Sequence, residues 1–135
     1  PRCIEEISHP ADDRDPGRNQ AGADIGDVLI GQRAKIVNNA MLSANMGVAM
    51  AAPEAAATLG LDRSTFIELI QASSGRSFGF EVFSRLPSPE AFAVGAPMLL
   101  KDINLLKSVL PDHVGARELD AIAARFLAAA NPGAS

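Results

Sequence analysis

The sequence predicts an all-α domain, a bundle of five to six helices around one long helix. Three observations lead there. Hydrophobic residues make up 47% of the 135 positions, and much of that share is alanine, the strongest helix former. Aromatic strand formers are scarce, with six Phe and neither Trp nor Tyr. No segment sustains a period-two alternation, whereas apolar spacings of three and four recur.

Residues 1–25 stand apart. The run from His9 to Asp24 (HPADDRDPGRNQAGAD) is polar, charged and rich in Gly and Pro, and it reads as an extended arm or linker. The helical domain is expected over residues 26–131. From Gln32 to Leu59, apolar or small residues fall at Val37, Met41, Ala44, Val48, Ala51, Ala55 and Leu59. Spacings alternating between four and three predict one helix, about 42 Å long, with that stripe turned inward. Pro53 lies inside it. An interior proline removes a hydrogen bond and costs about 3 kcal/mol, so a kink or break is expected between Ala49 and Pro53.

Gly60 is placed to end this helix, and Asp62 to cap the next, Arg63 to Ala72, with Phe66, Ile67, Leu69 and Ile70 as its apolar face. Ser73-Ser74-Gly75 closes it. A short helix is expected from Phe78 to Leu86, before the turn Pro87-Ser88-Pro89. Pro97 suits a first helical turn, opening a helix to about Leu110 with Met98, Leu99, Ile103, Leu105, Leu106 and Val109 as its apolar positions. Pro111 and Asp112 stop it. The last helix is expected from Ala116 to Ala130, with Leu119, Ile122, Ala123, Phe126 and Leu127 inward.

Composition narrows the function. A net charge of −4 excludes a broad basic face that would bind nucleic acid by counterion release. The one cysteine, Cys3, cannot form an internal disulfide, which agrees with a reducing compartment. No apolar run reaches membrane-spanning length, and no basic-then-apolar leader opens the chain. A cytoplasmic protein without membrane contact is the expectation, and no metal site is expected.

Chemistry can enter at three places. In Gly31-Gln32-Arg33-Ala34-Lys35-Ile36-Val37-Asn38-Asn39, Lys35 and Asn39 stand one helical turn apart on one face. An ammonium beside a carboxamide can hold a carbonyl or hydroxyl oxygen, but a solvated Lys next to an Asn has the same spacing. Lys101-Asp102 interrupts an apolar helix. The two side chains diverge by about 100°, so at least one should lie at a partly buried rim, either at a site or in an ion pair with another helix. Ser73-Ser74-Gly75-Arg76-Ser77 is either an anion-binding turn or a plain helix end.

Read in order, these segments resemble a known family. G-Q-R-A-K-I-V-N-N (Gly31 to Asn39), P-E-A-A-A-T-L-G-L-D (Pro53 to Asp62), A-S-S-G-R-S (Ala72 to Ser77) and L-L-K-D-I-N-L-L (Leu99 to Leu106) are similar to the C-terminal domain of the β-hydroxyacid dehydrogenases. That family includes 3-hydroxyisobutyrate dehydrogenase and tartronate semialdehyde reductase, with 6-phosphogluconate dehydrogenase as a distant relative. The resemblance covers residues from about 26 to 130. It implies an oxidoreductase acting on a CH–OH group with NAD or NADP and a small hydroxyacid. Lys35 matches the catalytic lysine, Asn39 the substrate-binding asparagine, and Lys101 and Asp102 a pair on the cofactor side. A lysine that exchanges protons near neutral pH requires partial burial, which disfavours its charged form.

The sequence departs from that family at Leu29, where a glycine is usual, and at Val94, where a phenylalanine is often found, with Phe92 nearby as its possible stand-in. Residues 1–30 contain no G-x-G-x-x-G turn after a strand, so no Rossmann domain is expected in this chain. Two expectations follow. The chain is either the helical half of a dehydrogenase, inactive and weak in NAD(P) binding without a separate nucleotide-binding partner, or a non-enzymatic oligomerisation module derived from that half. In either case a homodimer is expected, because a small helical domain without its partner exposes an apolar face.

Overall fold

The computed structural model describes residues 20–133, with side chains from residue 26 onward. Of the arm assigned to residues 1–25, residues 1–19, Cys3 included, lie outside the described residues. Among the described residues five α-helices follow one another: α1 (Gln20–Thr58), α2 (Arg63–Gln71), α3 (Phe78–Arg85), α4 (Ala96–Val109) and α5 (Val114–Ala130). A short 3-10 helix, Pro89–Phe92, precedes α4. There is no strand among the described residues, and the all-α class stands. No helix there is long and apolar enough to cross a membrane.

Local signals placed the helix ends well. Gly60 takes a positive φ of 85°, the left-handed conformation that ends a helix at little cost only for glycine. Asp62 caps α2, its Oδ1 accepting from the Thr65 amide at 3.1 Å, a bond worth about 1 kcal/mol. Ser77 caps α3 in the same way, accepting from the Phe80 amide at 3.0 Å. The anion-turn alternative for Ser73 to Ser77 therefore meets a structural use: one serine ends α2, with Ser73 Oγ donating to the Leu69 carbonyl at 2.6 Å, and another starts α3.

Three expectations about α1 need correction. It begins at Gln20, inside the stretch read as an extended arm, and is 39 residues long. It runs through Pro53 without a break. One residue beyond the proline, Glu54 accepts two hydrogen bonds from Arg125 on α5, at 2.6 and 2.7 Å. Ala49 and Ala56 are buried on either side. Packing against α5 thus supports the helix on both sides of the proline, offsetting the lost backbone bond.

The third correction concerns which face of α1 is inside. Of the expected inward stripe only Ala44 is buried. Val37, Met41 and Val48 are 44%, 53% and 52% exposed, Leu59 is 81% exposed, and Ala51 and Ala55 also face out. The core takes Ala40, Ser43, Met46, Gly47 and Ala49 instead. The reason is distance. α1 is the hub against which α2, α3, α4 and α5 pack, and its closest crossings need small residues. A Cβ on Gly47 would overlap the Ile122 carbonyl of α5, and one on Gly79 of α3 would lie 2.7 Å from the Asn45 Cβ of α1. Similarly, Leu69 of α2, Met98, Leu105 and Val109 of α4, and Ile122 of α5 are exposed rather than inward. Phe126 is fully buried at the centre, its ring 6.0 Å from Phe83 and 5.7 Å from Phe92.

The Glu54–Arg125 pair has a pH signature. Hydrogen bonds from Arg125 hold the Glu54 carboxyl below its ordinary value of 4.5. A depressed acid stabilises the fold above its unfolded value, and that contribution is lost as pH falls through the folded one. Urea midpoints of the parent and Glu54→Gln should therefore differ near pH 7 and converge as the pH falls below the ordinary carboxylate range, with the gap narrowing in high salt because both groups are exposed.

Candidate functional site

Asn39 on α1 and Asp102 on α4 are 63 positions apart in sequence and meet in the interior, where Asn39 Nδ2 donates to Asp102 Oδ2 at 2.6 Å. They are 8% and 5% exposed. A carboxylate so placed is costly unless hydrogen-bonded, and the short contact is typical of a charge-assisted bond. No buried side-chain polar atom among the described residues lacks a partner. Ser43, fully buried one turn after Asn39, donates from Oγ to the Asn39 carbonyl at 2.8 Å. Nothing beyond the N-x-x-x-S spacing marked Ser43 in the sequence.

Lys35 lies one turn before Asn39 on α1, and it is exposed. The two residues therefore share a helix side but not an environment: the amide is under α4, and the ammonium is in solvent. The partial burial that a proton-exchanging lysine requires is not supplied by the helices around it.

Lys101 and Asp102 diverge, as neighbouring helical positions must. While Asp102 turns in towards α1, Lys101 is exposed and lines an open hollow of about 510 Å³ with Pro97, Leu100, Asn104 and the end of α5 at Asn131. Asp102 is thus committed to Asn39, and Lys101 serves a different surface. Val94 is 97% exposed, whereas Phe92 is partly buried and packs on Phe126. Leu29 sits within α1, 46% exposed. A second hollow, about 480 Å³, lies between α2 and α3 and is lined by Gln71, Arg76, Glu81 and Arg85. There Arg85 is paired with Glu81 at 2.5 Å.

The arrangement presents an exposed amine one turn from a carboxamide held rigidly by a buried carboxylate. A second amine, Lys101, stands on α4 at a separate hollow. Such a surface can bind and protonate an oxygen-bearing small molecule once other atoms close over it.

Comparison with known proteins gives this surface a context. The chain is 34% identical over 89 residues to the mitochondrial 3-hydroxyisobutyrate dehydrogenase of Drosophila melanogaster, a match covering 59% of this chain and 28% of that protein. It therefore spans less than a third of that relative's length. No solved structure matches the chain. Residues 30–134, which include Lys35, Asn39, Lys101 and Asp102, match one family model over most of the chain. The chain belongs to that family, described as NAD-binding of NADP-dependent 3-hydroxyisobutyrate dehydrogenase.

Proposed function

We propose that these residues form the C-terminal, substrate-binding domain of an NAD(P)-dependent β-hydroxyacid dehydrogenase, an oxidoreductase acting on a CH–OH group. The observation that carries the reading is the Asn39–Asp102 bond, which joins in space two of the segments that resemble the family. Lys35 is the proton-transferring residue and Asn39 the substrate contact. Lys101, exposed beside Asn104, faces the cofactor.

These residues fit one edge of a dinucleotide and no more. Among the described residues there is no strand leading into a glycine-rich turn that would cradle a pyrophosphate, so the main nucleotide contacts fall to a companion domain. When bound, the nicotinamide supplies the hydride chemistry. This chain's own part is to hold the hydroxyacid through the Asn39 amide and to move a proton at Lys35 Nζ. A companion domain closing over Lys35 also excludes water and provides the missing burial.

The test compares the isolated chain with the same chain fused behind the nucleotide-binding part of the fruit-fly relative. The isolated chain should bind NAD(P) weakly and transfer no hydride to or from 3-hydroxyisobutyrate, while the fusion should turn it over. Appreciable turnover by the chain alone, or a folded fusion that binds cofactor yet does nothing, counts against the proposal.

The outward stripe of α1 favours a second element of this reading, a homodimer. Val37, Met41 and Val48 form an exposed apolar row on one helix side, a surface that self-association would cover. Sedimentation in dilute solution should give a dimer, and Met41→Glu should shift it to monomer. A monomeric parent chain would end this part of the proposal, and with it the alternative of a non-enzymatic oligomerisation module.

A further inference from the structure

We infer that Asp102 is a positioning residue that acts through Asn39, locking its carboxamide in one of two flip orientations. The argument starts from donor chemistry. An ionised carboxylate only accepts hydrogen bonds, whereas a carboxamide has an acceptor on one side and a donor on the other. With Asn39 Nδ2 and Asp102 Oδ2 2.6 Å apart, a flip of the amide would press its carbonyl oxygen against the carboxylate, acceptor to acceptor. Both residues are buried, so water cannot relieve that contact cheaply.

The backbone is held as well. Ser43 Oγ donates to the Asn39 carbonyl at 2.8 Å, from a fully buried side chain on the same helix. Asn39 is therefore fixed at both its main chain and its amide. Its second amide hydrogen and its carbonyl oxygen keep one direction each, and a ligand always meets the same polarity. Asp102 contributes without touching the ligand. This inference rests on Asn39 being the ligand contact proposed above. The fusion experiment decides that reading separately, since the test below needs no ligand.

The experiment is side-chain amide hydrogen exchange by nitrogen-15 NMR on the chain as it stands. In the parent, one Asn39 amide proton should exchange far more slowly than those of the exposed Asn104. In Asp102→Asn, a residue of equal size that can accept or donate, both flips become compatible with the site. Exchange at the Asn39 amide should then rise roughly tenfold, the change that one net charge-assisted hydrogen bond corresponds to. The backbone amides of Ile103 and Leu106 should keep their protection. Unchanged Asn39 exchange in Asp102→Asn overturns the inference. So does an equal loss of protection along α4, which would mark the pair as merely structural. Should the variant not fold, the parent still decides, because an Asn39 amide exchanging as fast as Asn104 rules the lock out.

Discussion

Gly47→Ala is expected to destabilise the bundle by roughly 3 kcal/mol, a large part of the 5–15 kcal/mol typical of a domain. Two effects oppose each other. Alanine is the better helix former, worth up to about 1 kcal/mol over glycine in mid-helix. Against that, the new methyl group would overlap the Ile122 carbonyl oxygen, 2.9 Å from its carbonyl carbon and 3.3 Å from the Ala123 Cα. All three are backbone atoms of α5, so no side-chain rotation makes room, and the clash outweighs the propensity gain. The axes of α1 and α5 must move apart, loosening Phe126 against Phe83 and Phe92. Thermal unfolding should show a midpoint lower by about 10 °C. A midpoint equal to the parent's would mean that the crossing is not tight.

Lys35→Ala should have the largest functional effect. In the active fusion it is expected to lower turnover by about 10²–10⁴-fold, the usual worth of a positioned proton-transfer group. Cofactor affinity should change little, because Lys35 lies on α1 and the proposed cofactor-side lysine on α4. The fold should also be unaffected: the side chain is exposed, and surface substitutions seldom move stability beyond about 0.5 kcal/mol. Partial recovery by added methylamine would tie the loss to the missing amine. A variant within a fewfold of the parent, normally folded, would remove Lys35 from the chemistry.

The legible parts of the fold were the local ones. Gly60 and Asp62 announced a helix end and a helix start, and the structure uses both in those roles, because each depends on the conformation or reach of one residue. The divergence of Lys101 and Asp102 was equally local, a consequence of helical rotation. Which of the two would be buried was not, since that depended on where α1 came to rest.

By itself, the sequence determined the all-α class, the helix order and most helix ends, and it put Lys35 and Asn39 on one side of a single rod. Tertiary structure alone decided which side of α1 is the inside. Bulky spacing pointed to Val37, Met41 and Val48, yet the core lies along Ala40, Ser43, Met46, Gly47 and Ala49, because the closest crossings of the four helices on this rod leave room for small side chains. The same crowding carried α1 through Pro53 and buried Asp102 against Asn39. Periodicity reports which residues are apolar; how closely backbones approach depends on partners distant in the chain, and that choice selects the face.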